Sequence, residues 1–193
     1  MRRDVILPPL QSSFLSCEKD TELILNKLFM DSPYSRFLKR LLIINTPDCL
    51  DPMITKYDAI VNEFTVKDLF DKQYIRLTPR LEFDEHNDVQ SYILLTFDNF
   101  VTNSENEEFR DNMVTFDILC NTKQWELEGF KLRPLAIAGY IDGILNMTHL
   151  SGVGEFVFLG AQELILDQNL AGYSLSYEAV HFSEDKKDLD EMV

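Results

Sequence analysis

The side chains best able to do chemistry are three histidines, three cysteines and scattered carboxylates, and they form no recognisable catalytic constellation. His86 lies between Asp84 and Asp88, and these three side chains could hold a divalent cation. An EF-hand loop also needs a central glycine and a distal glutamate, which this segment lacks. Because Asp and Asn favour turns through local hydrogen bonds, we interpret residues 84–88 as a solvated hairpin turn.

Two further patterns resemble reactive sites. Asp98 and Asp117 fall on the less apolar faces of two predicted strands, where a carboxylate pair could serve acid–base or two-metal chemistry. Outward-facing, solubilising carboxylates are the interpretation we prefer, because unpaired carboxylates are seldom buried. The glycine-rich residues 151–154 are followed by a predicted strand, whereas a phosphate-binding loop precedes a helix. They predict a turn between helix and strand, with Gly152 ending the helix.

The cysteines indicate reduced thiols. Cys17, Cys49 and Cys120 are odd in number and far apart, which is typical of a cytosolic setting. No Cys/His spacing resembles a zinc site. We therefore predict that the protein is not an enzyme and has no cofactor, no metal site and no catalytic residues.

Charge is distributed unevenly along the chain. Residues 1–80 hold 12 Lys/Arg and 11 Asp/Glu, whereas residues 81–193 hold 6 and 22, which together give the net charge of −15. This excess argues against broad binding to nucleic acid or to a membrane surface, since both are anionic. We expect no signal peptide, because the apolar residues 5–9 are few and end in two prolines. No apolar run approaches the roughly 18 residues that span a bilayer.

Apolar periodicity predicts the order of the elements. Helical spacing occurs in residues 19–30, 34–43, 53–64 and 134–147, and strand patterns occur near 74–77, 91–101, 112–120, 155–159, 163–166 and 173–179. This order predicts an α+β fold, with a mainly antiparallel sheet, a packed helix at 134–147 and an N-terminal helical segment. Gly139 and Gly143 would let that helix lie close to a sheet or a partner helix. Residues 155–159 are apolar on both faces, which predicts a strand buried on both sides.

We predict three parts: an extended arm at residues 1–16, a single domain at 17–182 and a charged tail at 183–193. The arm is extended because Pro8 and Pro9 exclude a helix there. Candidate interface residues lie on the arm, in the acidic loop 102–111 and on a basic helix face: Val5, Ile6, Leu7, Leu10, Phe14, Glu105, Glu107, Glu108, Phe109, Arg36, Lys39 and Arg40. Phe109 is an apolar residue in a polar loop, and it could be an anchor that enters a partner's pocket. Each surface has an alternative interpretation. The arm could be a flexible terminus, Phe109 could fold back onto its own sheet, and the basic helix face could simply be solvated.

The whole pattern resembles the tail-terminator and neck (head–tail connector) proteins of tailed bacteriophages over residues 20–182. The resemblance lies in an N-terminal helix, a long hairpin with a polar tip, the sequence Leu132-Arg133-Pro134-Leu135 leading into a helix, and further strands. The stretch 113–120 followed by 131–146 is similar to the strand–helix step of those proteins. The arm and the helices at 34–64 depart from the shortest family members.

This resemblance implies a noncatalytic virion subunit of a homo-oligomeric ring between portal and tail, assembled in the host cytoplasm. Its expected partners are further copies of itself and portal, connector or tail proteins, with DNA passing nearby without specific binding and no membrane contact. Two alternatives stay open. One is a metal-dependent hydrolase that uses Asp98, Asp117 or residues 84–88. The other is a host-directed regulator whose acidic surface mimics DNA and binds a protein.

Overall fold

The computed structural model describes residues 13–78, 89–102, 110–150 and 153–180. The helices are α1 Ser13–Asn26, continued by a π-helical turn at Lys27–Asp31, α2 Ser35–Ile43, α3 Thr55–Asn62, α4 Val66–Asp71 and α5 Arg133–Leu145. The strands are β1 Ile75–Arg76, β2 Ser91–Thr102, β3 Arg110–Asn121, β4 Glu126–Leu127, β5 Lys131–Leu132, β6 His149–Leu150, β7 Gly154–Ile165 and β8 Leu170–Val180. The α+β prediction is confirmed.

Six strands form one sheet in the order β1-β2-β3-β8-β7-β6, while β4 and β5 form a separate hairpin. All neighbours in the six-stranded sheet are antiparallel except β1 and β2, which are parallel. Strands β3 and β8 approach closely at Gly172, where an added Cβ would lie 1.8 Å from the carbonyl oxygen of Ile118. Glycine is therefore required at this position of the central strand pair.

The main core lies between the helices and one face of the sheet. Leu38 and Leu41 of α2 and Ile137 and Ile141 of α5 are fully buried there, together with sheet residues such as Phe116. Side chains on a strand alternate between faces, so the neighbours of these sheet residues point the other way. A smaller buried cluster, Tyr92, Leu94, Leu119 and Leu170, occupies that second face. No helix in the described part of the chain is long and apolar enough to cross a membrane.

Arg133 fastens the start of α5 to the helical layer. Its side chain is fully buried and donates to four backbone carbonyl oxygens, those of Gln124 (2.9 Å), Leu41 (2.7 Å), Ile44 (2.9 Å) and Thr46 (3.0 Å). Two of these carbonyls lie at the C-terminal end of α2, where unpaired carbonyls and the helix dipole favour a cation. One side chain thus joins α2, the following loop and α5.

Arg40 performs the same task for the loop between α2 and α3. It is 1% exposed, and it donates to the carbonyl oxygens of Asp51 (2.8 Å) and Ile54 (3.1 Å). Its Nη2 also lies 2.8 Å from Oδ1 of Asp58 in α3. The two arginines therefore hold the segment between α2 and α3 from both sides.

Two predicted boundaries at the helices are wrong. The extended arm cannot reach residue 16, because α1 already begins at Ser13, and residues 1–12 lie outside the described residues. Phe14 and Cys17 continue the helical apolar spacing of α1 backwards, which explains the earlier start. At the other helix, α5 ends at Leu145 and the short strand β6 follows, so Gly152 does not end it.

The predicted strands 155–159 and 163–166 are one continuous strand, β7, with a register shift between Phe158 and Gly160. The prediction that residues 155–159 are buried on both sides is wrong, because Leu159 is 53% exposed. A bulge changes the alternation of side chains between faces, and sequence periodicity does not reveal where it falls. The expected close approach at Gly139 and Gly143 is also absent within the described residues, since an added Cβ at either would meet no atom within 4 Å.

Candidate protein interaction surface

The two carboxylates that suggested metal chemistry are not adjacent. Asp98 pairs with Met113, whereas Asp117 pairs with Leu94, so the two positions are four residues apart along the strands, or about 13 Å. Two-metal sites need ions about 3.5–4 Å apart. Asp117 instead accepts a hydrogen bond from Ser174 Oγ at 2.5 Å. No three His, Cys, Asp or Glu of the described residues are grouped to hold a metal ion, and the segment 84–88 lies outside them.

No disulfide joins the three cysteines, all of which lie in the described part of the chain, and Cys49 and Cys120 are fully buried. Burial raises the pKa of the Cys120 thiol to about 12 and also raises the pKa of Cys49. Such thiols are weak nucleophiles at neutral pH, since the thiolate is the reactive form. Cys49 and Cys120 therefore act as small apolar core residues.

The predicted basic helix face is not a surface. Lys39 is buried and donates from Nζ to the carbonyl oxygen of Phe64 at 2.8 Å, and its burial lowers its pKa. Arg40 is buried as described above, because α3 and the loop before it pack on this side of α2. Only Arg36 is exposed, at 3.9 Å from the carboxylate of Asp58. Of the three predicted basic contact residues, Arg36 alone stays available to a partner.

The remaining predicted interface residues are not tested. Val5, Ile6, Leu7, Leu10, Glu105, Glu107, Glu108 and Phe109 lie outside the described residues, and only the helical backbone of Phe14 is described. The same holds for the predicted tail at 183–193. Their role stays a prediction.

The clearest candidate surface is the outer edge of β7. Strand β6 pairs with β7 only at Glu155 and Gly154, and beyond them Asn146 Oδ1 accepts a hydrogen bond from the backbone N–H of Phe158. From residue 159 to 165, no strand or backbone group among the described residues pairs with β7 on the side away from β8. Unpaired strand edges of this kind are templates for an added strand.

The direction of the free backbone groups follows from the pairing with β8. The N–H of Leu166 donates to the carbonyl oxygen of Leu170 at 3.1 Å, so Leu166 faces β8. Antiparallel pairing alternates, and the register from Gly160 onward is regular. The N–H and carbonyl groups of Ala161, Glu163 and Ile165 therefore point away from β8. Three consecutive outward-facing residues provide three donors and three acceptors for a partner strand.

The side chains along this edge are apolar for a strongly charged protein. Leu159 and Ile165 are 53% and 66% exposed, and Leu166 just beyond the strand is also exposed. Glu163 is the one charged residue between positions 156 and 165. Natural edge strands usually carry charges, proline or bulges that discourage pairing. Beyond the bulge between Phe158 and Gly160, this stretch has no lysine or proline and only one charged residue. The edge is therefore suited to a protein partner.

The apolar surface continues from the edge onto α5. Met147 donates its N–H to the carbonyl oxygen of Phe156 at 2.8 Å, and its side chain is 70% exposed. Leu135, Gly139 and Gly143 lie at every fourth position of α5 and are all exposed, so they share one face of the helix. Glycine costs an exposed helix about 1 kcal/mol relative to alanine, and the described residues give no packing reason for the two glycines.

A second exposed apolar point lies at the tip of the β4–β5 hairpin. Phe130 is fully exposed and has φ of 61°, a left-handed conformation that disfavours a bulky side chain. The hairpin lines a cavity of about 320 Å³ together with the loop from Pro47 to Pro52, and the exposed Met53 follows that loop. An exposed aromatic ring on a strained turn is typical of a contact residue.

Within that loop, Asp48 is held by two hydroxyl groups. Thr46 Oγ1 donates to its carboxylate, and Tyr57 Oη donates to the same oxygen at 2.9 Å. The hydrogen bond from Thr46 and the one from Tyr57 both lower the pKa of Asp48. The hydrogen bond from Tyr57 ties the loop beside the hairpin to α3.

Sequence reasoning missed the open edge and the hairpin tip. The signal for the tip was present in Glu128-Gly129-Phe130, where a large apolar residue follows a glycine in a turn between two short strands. For the edge, the sequence offered only the apolar run 156–159, which predicts a strand buried on both sides. Edge positions depend on strand order, which periodicity alone does not give.

These features define an α+β protein with exposed apolar contact points and a sheet edge that none of the described residues pairs. A family model described as YomW matches residues 35–179, from the start of α2 almost to the end of β8, so the chain belongs to the YomW family. The name is that of a Bacillus phage gene family and indicates a phage-associated protein. No curated protein and no solved structure matches the chain.

Proposed function

We propose that the protein is a noncatalytic structural subunit of a homo-oligomeric ring at the phage head–tail junction, of the neck or tail-terminator type. The observation that carries this proposal is the unpaired apolar edge of β7. Membership of a phage-associated family supports it. A subunit of this type would belong to the virion and would be assembled in the host cytoplasm. Portal, connector or tail proteins are its proposed neighbours.

A ring requires that one surface of each subunit contacts a different surface of the next. An edge strand suits such a contact, because it accepts a strand from elsewhere on the neighbouring subunit and extends the sheet between them. The net charge of −15 fits a subunit past which DNA moves, since an acidic protein does not grip an anionic polymer.

The edge alone is too small to hold the ring. Full burial of a leucine or isoleucine side chain contributes about 1.5–3 kcal/mol, and Leu159 and Ile165 are already partly buried, so the two together add about 3 kcal/mol. Association costs an estimated 4–15 kcal/mol in lost freedom of motion. The exposed face of α5, Met147 and Phe130 are therefore proposed as further contacts.

Mass measurement in solution and in the virion tests the proposal. Native mass spectrometry should give one stoichiometric multiple of the 22.5 kDa chain, and the protein should be recovered with purified phage particles. A strict monomer that is absent from purified particles would sink the proposal.

The alternatives have less support. A hydrolase that uses Asp98 and Asp117 together conflicts with their separation of about 13 Å along the strands. No feature of the described residues specifically favours an acidic DNA mimic.

A further inference from the structure

We propose that residues 2–7 of a second copy of this chain add to the outer edge of β7 as an antiparallel strand. This inference rests on the proposed homo-oligomer and names the segment that fills its principal contact. The acceptor is the stretch 159–165, and the donor is the segment Arg2-Arg3-Asp4-Val5-Ile6-Leu7.

The lengths of donor and acceptor agree. Seven residues of extended strand span about 23 Å and six span about 20 Å. The outward-facing groups of Ala161 and Glu163 need two donor residues that face back, and in the register described next these are Val5 and Arg3, while Ile165 lies beyond the donor segment. Pro8 and Pro9 lack the N–H that a longer pairing would need, so the added strand ends where the acceptor ends.

The side chains agree in one antiparallel register. With Leu7 placed beside Leu159, Val5 comes to lie beside Ala161 and Arg3 beside Glu163. This pairing joins apolar to apolar side chains and brings a cation to the one charged residue of the open edge. Two arginines at the start of the chain thus complement an acceptor in the acidic part of the protein.

The position of α1 favours a strand from another copy. Residues Cys17 and Thr21 of α1 line a cavity with residues Leu95 and Phe97 of β2, so α1 lies beside β2. A strand added outside β7 would lie four strand spacings from β2, about 19 Å. The chain from Leu7 to Ser13 reaches at most about 22 Å. The chain's own segment would have to be nearly fully extended across the sheet, whereas a neighbouring copy has no such restriction.

Disulfide trapping between two variants tests the proposal directly. Both variants are full chains that carry Cys17→Ser, and one adds Val5→Cys while the other adds Ala161→Cys. After mixing and mild oxidation, we expect a covalent dimer at least tenfold more abundant than in a control in which Lys56→Cys, exposed on α3, replaces Ala161→Cys. Equal yields in the two mixtures would overturn the proposal.

Two further outcomes identify other occupants of the edge. A covalent dimer formed by the Ala161→Cys variant alone, in excess over the mixture, would show that β7 pairs with a second β7. A chain that carries both Val5→Cys and Ala161→Cys would instead form an intrachain disulfide at high dilution if its own segment filled the edge. Either result overturns the proposal.

Deletion of residues 2–7 separates this inference from the ring itself. The intact chain should be oligomeric, and the deleted protein should shift to the monomer mass while its far-ultraviolet circular dichroism spectrum shows that it is still folded. An oligomer that persists after the deletion overturns the donor strand and leaves the ring intact. A full-length protein that is monomeric in solution and absent from virions overturns both.

Discussion

Replacing Arg133 with methionine should lower the free energy of unfolding by about 3–5 kcal/mol. The guanidinium is fully buried and donates four hydrogen bonds of 2.7–3.0 Å to backbone carbonyl oxygens. Methionine has a similar length and fills much of the space, so the change removes mainly the donors. It leaves four carbonyl groups without this partner, two of them at the C-terminal end of α2.

The magnitude follows from the opposing contributions. A hydrogen bond to a charged group contributes about 1.5–3 kcal/mol, so four bonds give roughly 6–12 kcal/mol. Burying the cation costs several kcal/mol, which methionine avoids. The difference is about 3–5 kcal/mol, a large share of the 5–15 kcal/mol typical of a folded domain.

Urea unfolding followed by far-ultraviolet circular dichroism measures this change. The denaturant slope should stay constant, so that a shift of the midpoint reports stability. Arg36→Met is the matched control, because Arg36 is exposed and its ion pair of 3.9 Å is worth less than about 1 kcal/mol. If Arg133→Met fell within 1 kcal/mol of that control, the assigned role of the buried guanidinium would be refuted.

The other predictions concern three backbone positions and one carboxylate. In urea unfolding, Gly172→Ala should destabilise the fold by more than about 2 kcal/mol, because its Cβ would lie 1.8 Å from a carbonyl oxygen of β3. Gly139→Ala should stabilise it by about 1 kcal/mol, since its Cβ meets no atom within 4 Å. Equal effects of Gly172→Ala and Gly139→Ala would contradict the close approach of β3 and β8 at Gly172. Phe130→Gly should stabilise the fold by about 1 kcal/mol by relieving a left-handed residue, and a loss of stability would show that the ring packs in the monomer. The hydrogen bond from Thr46 lowers the pKa of Asp48 in the folded protein. The ionised carboxyl group therefore stabilises the fold fully above its unfolded pKa of 3.8. This stabilisation is lost as the pH falls through the lower folded pKa. Asp48→Asn should therefore flatten the acid side of a stability–pH curve below about pH 5, and an unchanged curve would contradict this.

Much of the fold could be predicted from apolar spacing. Several long elements carry a clear local signal, such as the alternation of β2, with Ile93 and Leu95 on one face, and the proline in the first turn of α5. The errors lie where tertiary contacts decide. Strand β7 continues through the bulge near Leu159, where the sequence predicts two separate strands, because a bulge interrupts the local periodicity.

Less of the candidate surface could be predicted. The spacing of Arg36, Lys39 and Arg40 indicated a basic face, but α3 and its preceding loop cover that side of α2. Long cationic side chains in a helix can reach buried carbonyl oxygens, and composition does not reveal this. The free edge near Glu163 depends on strand order, which is set by long-range pairing.

The mass of the protein in solution tests the central proposal most directly. Native mass spectrometry of the full chain should give a single multiple of 22.5 kDa. Glu163→Pro removes one outward N–H without touching the bonds to β8, so it should shift that mass to 22.5 kDa, while Glu163→Gln should leave the oligomer intact. A full chain that stays at 22.5 kDa at micromolar concentration and is missing from purified virions would contradict the account.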